Sequence, residues 1–430
     1  MKNQRIIGAV LSVCMILCLA ACGNNSVKPP ETEAQQPTSS SAPTEKPNDQ
    51  KPEEIRLLTL EKTLHTNFEW ADDFDKALVR SEYSCVTLGQ EEAKTFPEMA
   101  EIFNQTATMT ENAMTEEFEN LVTLAGEKLA QGREDFETCV STLDVQVRRA
   151  DSAVISLLSD SYSHYGQIEN FRVFHGSNYD PKTGEALTLD DVVKAINNDL
   201  AQAVKEELAS RLRTEEFFSE SAVEDYFANT PCDGFSWTMD YNGVTFYFSK
   251  GDLCDDMLTA TVSFANHPEL FVEKYMVVPT QYTVELAMDL PLYTELDGDG
   301  ALDELSVSGW YNEIRNAYED YGVYRESADY YEERFVHDYH PYYVKTESGH
   351  YLYLFCEEFQ EGWRTMELVV FTLTEDGRVI KTGERSLSPS WLADNRFIVP
   401  TDPNRLVLDD QAQGTEKQTF SVGNDGLPTN

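Results

Sequence analysis

No aromatic side chain occurs before Phe68. Residues 23–54 are punctuated by Pro29, Pro30, Pro37, Pro43, Pro47 and Pro52, with Ser39-Ser40-Ser41 among them. Proline fixes φ and removes a backbone donor, and nothing in this stretch can bury a core, so it reads as a solvated tether. If extended at ~3.1 Å per residue, it reaches several nanometres. Folding therefore starts near Ile55. The 430-residue chain is 41% hydrophobic and 11% aromatic, enough for two or three compact units beyond that point.

Charge narrows the partners. The chain carries 33 basic and 76 acidic residues, a formal net charge of −43. Such a surface repels phosphate backbones and anionic headgroups, which excludes general nucleic-acid binding and recruitment through a polybasic patch. Cationic partners are compatible with it. At the N-terminus, Lys2 and Arg5 precede an apolar run from Ile6 to Ala21. Sixteen residues rise about 24 Å as a helix, short for a membrane span. Leu19-Ala20-Ala21-Cys22 resembles the lipobox of bacterial lipoproteins, which implies cleavage before Cys22, lipidation of its thiol and anchoring to a membrane through that lipid. Removal of Lys2 and Arg5 would take the net charge from −43 to −45. The expected location is the outer face of a bacterial cell membrane.

Five of the eight cysteines lie beyond Cys22: Cys85, Cys139, Cys232, Cys254 and Cys356. None has metal-ligand spacing. Cys232 and Cys254 flank a hairpin from Trp237 to Phe248 and form the candidate disulfide.

The expected organisation is a leader over 1–22, a tether over 23–54, an α+β unit over 55–281, a smaller β-rich unit over 282–408 and a polar tail over 409–430. In the first unit, Met99, Ile102, Phe103, Met114, Phe118, Leu121, Val122, Ala125 and Leu129 recur at mostly three- and four-residue intervals after Pro97, which predicts one long helix. Short strands follow around 136–147 and 153–158. A second helix is expected from Leu189 to about Leu212, opened by Thr188-Leu189-Asp190-Asp191, where the hydroxyl and carboxylates cap free N–H groups. Asn242-Gly243 then turns a hairpin between 235–241 and 244–248. The order strand, helix, strands, helix, strands predicts the α+β class.

Three segments carry a resemblance: Arg149-Ala150-Asp151-Ser152-Ala153-Val154-Ile155-Ser156, the run from Asn178-Tyr179-Asp180-Pro181 through Thr183-Gly184 to Thr188-Leu189-Asp190-Asp191-Val192, and Asn242-Gly243-Val244-Thr245-Phe246-Tyr247-Phe248. Together they resemble the RsiV-like extracellular domain shared by the anti-sigma-V factor and PdaC-type peptidoglycan deacetylases, over roughly half of the chain. In the anti-sigma-V factor that domain recognises lysozyme, a basic enzyme, so the resemblance implies a cationic protein ligand. Where the family often has a Gly-Gly-x-His turn, this chain reads Tyr165-Gly166-Gln167-Ile168-Glu169-Asn170. The metal-binding residues of the deacetylase catalytic domain have no counterpart here.

In the second unit, Glu295-Leu296-Asp297-Gly298-Asp299-Gly300-Ala301-Leu302-Asp303-Glu304 resembles the calcium loops of FG-GAP-like repeats. Glu295, Asp297, Asp299, the Ala301 carbonyl and Asp303 are the expected oxygen ligands of a structural calcium ion, and the glycines permit the tight turn. Hairpins are expected across Ser348-Gly349 and Asp376-Gly377, with a last strand at Arg396–Val399. Nine of the 21 tyrosines crowd into residues 311–343 among carboxylates, a composition suited to a basic partner or a polyhydroxylated glycan. Tyr318, Tyr321, Tyr324, Tyr330, Tyr331 and Tyr342 are the candidate ligand surface; the alternative is a helix with tyrosines in its core. His337-Asp338-Tyr339-His340 could bring two imidazoles together but offers no adjacent third ligand.

No G-x-S-x-G, H-E-x-x-H, P-loop or G-x-G-x-x-G motif occurs, so a wall hydrolase would rest on scattered carboxylates alone. The expected role is a non-enzymatic, lipid-anchored surface protein that binds a cationic protein such as lysozyme or a cell-wall glycan. The alternative is a structural or accessory protein of the envelope.

Overall fold

The computed structural model describes residues 55–71, 76–132, 136–165, 171–211, 219–312, 315, 317–325, 328–360, 363–387, 396–408 and 418–429. The leader, Cys22 and the tether lie outside these residues. No described helix is long and apolar enough to cross a membrane.

Strand residues make up 47% of the described chain and helical ones 22%, so the fold is mainly β and not the expected α+β. The strands are β1 (Leu60–Glu69), β2 (Val79–Leu88), β3 (Cys139–Ala150), β4 (Ile155–Tyr165), β5 (Phe171–Tyr179), β6 (Trp237–Met239), β7 (Gly243–Phe248) and β8 (Leu258–Ser263). They continue with β9 (Tyr282–Glu285), β10 (Leu292–Thr294), β11 (Asp303–Ser308), β12 (Tyr311–Asn312), β13 (Ala317–Arg325), β14 (Ala328–Val336) and β15 (Asp338–Thr346). The last are β16 (Gly349–Gln360), β17 (Trp363–Leu373), β18 (Val379–Leu387), β19 (Arg396–Ile398), β20 (Leu406–Leu408), β21 (Gln418–Val422) and β22 (Pro428–Thr429).

Two of the three larger sheets share the main core. One runs β19-β1-β2-β3-β4-β5, the other β18-β17-β16-β15-β9. Only β2 and β3 pair in parallel in the first, because the long helix Pro97–Leu129 crosses between them. That helix is the one the spacing predicts. Pro97 sits in its first turn, where a missing N–H is harmless, and Met99, Phe103, Met114, Leu121 and Ala125 form its buried stripe.

The helix expected over 189–212 is interrupted. The capping box forms at Thr188, whose N–H donates to Asp191 Oδ2 at 2.8 Å, but the helix stops at Val192. Residues 192–194 are drawn into backbone pairing with 270–272, through Lys194 N to Leu270 O at 2.8 Å and Val272 N to Val192 O at 2.9 Å. A new helix, Asn198–Arg211, starts where Asn197 Oδ1 accepts from the N–H groups of Asp199 and Leu200. It packs with helix Glu220–Asn229 on β6, β7 and β8. The Asn242-Gly243 hairpin forms as expected, with Asp240 Oδ1 accepting from both turn N–H groups at 2.6 and 3.1 Å.

The tyrosine-rich segment forms β13, β14 and β15. The strand at 396–398 does not extend its sequence neighbours: it pairs with β1 at the edge of the first sheet. Leu60, Leu64, Val86 and Leu88 of that sheet share a core with Tyr342, Val344, Tyr353 and Val370 of the other. Residues 418–429, which composition reads as a polar tail, supply β21 and β22, and Phe420 is buried in the same core. Tyr353 Oη donates to Gly426 O at 2.5 Å, and Gly426 takes φ +81° beneath the Tyr351 ring, where a Cβ would lie 2.3 Å from ring carbon.

A buried charge cluster ties the two sheets together. Lys62 of β1 donates from Nζ to Glu285 Oε1 of β9 at 2.5 Å and reaches Asp144 Oδ1 of β3 at 3.3 Å. Glu285 Oε2 in turn accepts from Val147 N at 2.8 Å, and Arg148 Nη1 donates to the Glu285 carbonyl at 2.9 Å. Burial alone would lower the proton affinity of Lys62, but Asp144 and Glu285 outweigh it and raise the ammonium above its ordinary value. Lys62→Met should cost about 3–5 kcal/mol, because it leaves Glu285 buried without its cation. Lys62→Met with Glu285→Leu should recover most of that. Denaturant midpoints check both, and a single-variant loss below ~1 kcal/mol would contradict the assignment.

A carboxylate-lined cleft as candidate functional site

A cleft of about 370 Å³ opens above the Lys62 cluster. Its walls come from β1–β4, from residues 285–289 and from the junction of β14 and β15, with Tyr311, Tyr318 and Tyr339 at one side. Seven carboxylates and two arginines line it.

The sheet register sets these charges against one another. Asp144 of β3 stands directly opposite Asp160 of β4. Asp338 of β15 stands directly opposite Glu357 of β16. Like charges in such positions destabilise a sheet, and both pairs face one cleft. Each is partly compensated. Arg172 grips Asp160 through Nε and Nη2 at 3.0 and 2.7 Å, and also donates to Met288 O at 2.9 Å. His340 Nε2 lies 2.9 Å from Glu357 Oε2, and His337 Nε2 lies 2.9 Å from Glu82 Oε1. Arg80 holds the other Glu82 oxygen at 2.6 Å and lies over the Tyr311 ring at 4.0 Å.

The titrations follow from these contacts. Burial would raise Glu82, but Arg80 and His337 hold it well below the usual carboxylate range. Burial opposes Asp144 ionisation too, yet Lys62 and His340 bring it to about 2. Asp160, Glu285 and Asp289 are all pushed up, by burial first and by neighbouring carboxylates as well. Asp338 rises to about 6, through burial and the repulsion of Glu357 and Glu82, which outweigh the attraction of His340. Burial lowers both His337 and His340, but their carboxylate partners raise them above the ordinary value.

The residues singled out in sequence fare unevenly. His337 and His340 both line the cleft, each with its own carboxylate, and share no ligand set. Of the candidate tyrosine surface, Tyr321 and Tyr342 are core residues, Tyr318 and Tyr330 are half-buried, and only Tyr324 and Tyr331 are exposed, at 37% and 59%. Strand alternation separates Tyr330 from Tyr331, and a register shift near Tyr318 re-aims the start of β13. In the acidic loop, oxygens of Glu295, Asp297 and Asp299 gather within 4.8 Å of one another. Ala301 enters through its N–H, which donates to Asp299 Oδ1 at 2.7 Å. Asp303 turns away, accepting from Leu296 N at 2.8 Å and meeting Arg325 at 3.5 Å. The candidate pair Cys232 and Cys254 stands as two separate thiols in this structure. Cys254 accepts from Asp256 N at 3.4 Å within its own turn, while Cys232 sits against Asp190.

The motif carrying the family resemblance builds structure. Arg149, fully buried, pairs with Asp151 at 2.7 Å and donates to the carbonyls of Tyr275 and Asp240. Ser156 and Asn178 bond each other at 2.6 Å and fasten β6 through Met239 N and Trp237 O. Gly184 takes φ +70° where a Cβ would press on the Glu98 backbone.

The titrations give stability a sign. A histidine raised on folding stabilises fully below pH 6.5, and that contribution is lost as pH climbs through the folded value. The thermal midpoint should therefore fall by a few degrees between pH 6.5 and 9, and the double variant His337→Gln, His340→Gln should flatten the slope. A midpoint that rises over this window would contradict the pairing of both histidines.

No family model matches the chain, and no curated protein matches it. Among solved structures, it is similar to a DUF3298 family member from Bacteroides fragilis, with 13% identity, a TM-score of 0.34, and coverage of 51% of this chain and 94% of that one. It is also similar to a DUF3298 family protein from Pseudomonas aeruginosa, with 12% identity, a TM-score of 0.32, and coverage of 52% of this chain and 97% of that one. These structural neighbours are members of a domain family of unknown function.

Proposed function

We propose that this chain is a non-enzymatic, lipid-anchored protein of the outer face of a bacterial cell membrane, and that it binds an envelope-associated ligand in the carboxylate-lined cleft. One observation carries the reading: two like-charge cross-strand pairs, Asp144 with Asp160 and Asp338 with Glu357, face the same opening. Folding alone gains nothing from such pairs, and a ligand rich in hydrogen-bond donors relieves both. The leader and Cys22 support the location, and the RsiV-like sequence resemblance supports a ligand such as lysozyme. A cell-wall glycan offers donors of a second kind, and Tyr311, Tyr318 and Tyr339 at the cleft wall suit either. The Glu295–Asp297–Asp299 loop is proposed to take a calcium ion that fixes the turn between β10 and β11, with no part in ligand chemistry.

Retention of the full chain on immobilised lysozyme and on purified peptidoglycan tests this reading. Lysozyme binding should be strong at about 50 mM salt and largely lost by about 0.5 M, where charges are screened within a few ångströms. Asp144→Asn with Asp160→Asn should weaken it. Absence of retention on both ligands at low salt would overturn the proposal. For the loop, millimolar calcium should raise the thermal midpoint by a few degrees, and Asp297→Asn with Asp299→Asn should abolish the shift. An unchanged midpoint in the wild-type chain would mean a loop held by its own amides.

A further inference from the structure

Gln146 of β3 is 2% exposed and lines the cleft. Its Nε2 donates to Asp144 Oδ2 at 2.7 Å. That bond fixes the amide, since reversing it would set oxygen against oxygen. Its Oε1 is buried and has no hydrogen-bond partner among the described residues. An orphaned buried acceptor is costly and calls for a donor from outside the protein. Beside it, Asp144 keeps 42% of its side-chain surface open although protein surrounds it.

The described cations nearby are already engaged. Lys62 is closest to Glu285, Arg172 to Asp160 and the Met288 carbonyl, and Arg80 to Glu82. Asp160 faces Asp144 across the strands, so negative charge is in excess where the neutral orphan lies. A hydroxyl could satisfy Gln146 but would leave that excess. An N–H donor with positive charge satisfies both acceptors. Leu64, Val140 and Met288 supply carbon surface along the same walls, on which a methylene stem packs.

We infer that the cleft receives a cationic nitrogen on an organic stem, an alkylammonium or guanidinium group, held side by side by Asp144 and Gln146. This rests on the reading of the cleft as the ligand site and decides between the two ligand classes left open there. Gln146 is in this view a specificity residue, and Asp144 supplies the charge.

Calorimetric titration of the full chain at low ionic strength, with 1,5-diaminopentane, its N,N′-diacetyl derivative and chitotriose, tests the inference. The diamine should bind at least about tenfold more tightly than the diacetyl compound. Gln146→Leu and Asp144→Asn should each weaken the diamine by about tenfold or more, with circular-dichroism melts showing whether each variant is folded. Should a variant not fold, the wild-type comparison of amine against amide still decides. Equal affinity for those two probes, or undiminished diamine binding in folded Gln146→Leu, would overturn the inference. Chitotriose binding that depends on Asp144 and Asp160, without diamine binding, would overturn it and leave the cleft reading standing. Failure of all three probes, together with no retention on lysozyme or peptidoglycan, would overturn the cleft reading itself.

Discussion

The contact between Lys62 and Glu285 joins residues 223 positions apart, and much of the architecture is arranged around it. It places a lysine of the first sheet and a glutamate of the second in contact, both buried. Taking two charges from water is expensive, and the attraction between them offsets that only when the remaining polar atoms are also matched. Here they are: Asp144 shares the ammonium, and Val147 N and Arg148 satisfy the Glu285 carboxylate and carbonyl. The apolar core on one side of this cluster and the open cleft on the other follow from the same placement of β9 against β1 and β3. The charge also fixes which strands meet, since a slip of one residue would turn Lys62 to the opposite face of β1, away from Glu285.

Above the cluster, the molecule tolerates arrangements that folding disfavours. Asp144 faces Asp160 and Asp338 faces Glu357, and the histidines and arginines that offset them do not neutralise the whole set. The resulting spread of proton affinities, with Glu82 and Asp144 held low and Asp338 raised to about 6, marks an environment in which carboxylates compete for too few cations. A binding site that must attract positive charge from solution has this character. The high overall acidity thus has a local counterpart in the cleft.

How much of this was legible in sequence depends on whether the deciding contact was local. The helix Pro97–Leu129 and the hairpins at Asn242-Gly243, Ser348-Gly349 and Asp376-Gly377 follow from spacing and turn chemistry within a few residues. The break after Val192 does not, because it is imposed by pairing with residues 270–272. The α+β expectation gives weight to two long helices, one of which is interrupted, and treats the tyrosine-rich segment as a ligand surface or a helix with tyrosines in its core, whereas it is built from strands. The cleft was out of reach for a similar reason: Glu82, Asp144, Asp160, Glu285, Asp338 and Glu357 are far apart in the chain and meet only through sheet order. A faint signal was present, since Glu82 and Asp144 are the one acidic residue in strands β2 and β3 respectively. Composition groups the tyrosines as one candidate surface, whereas alternation and the register shift at the start of β13 divide them between core, cleft and solvent.

The central claim is that ligand is received between the two sheets and not on the exposed tyrosines. Amide hydrogen exchange of the full chain, with and without saturating lysozyme or soluble peptidoglycan fragments, tests it most directly. The account predicts ligand-dependent protection at residues 142–146 and 337–340, with 324–335 unchanged. Protection confined to 324–335, with the cleft strands exchanging as in the free protein, would contradict it.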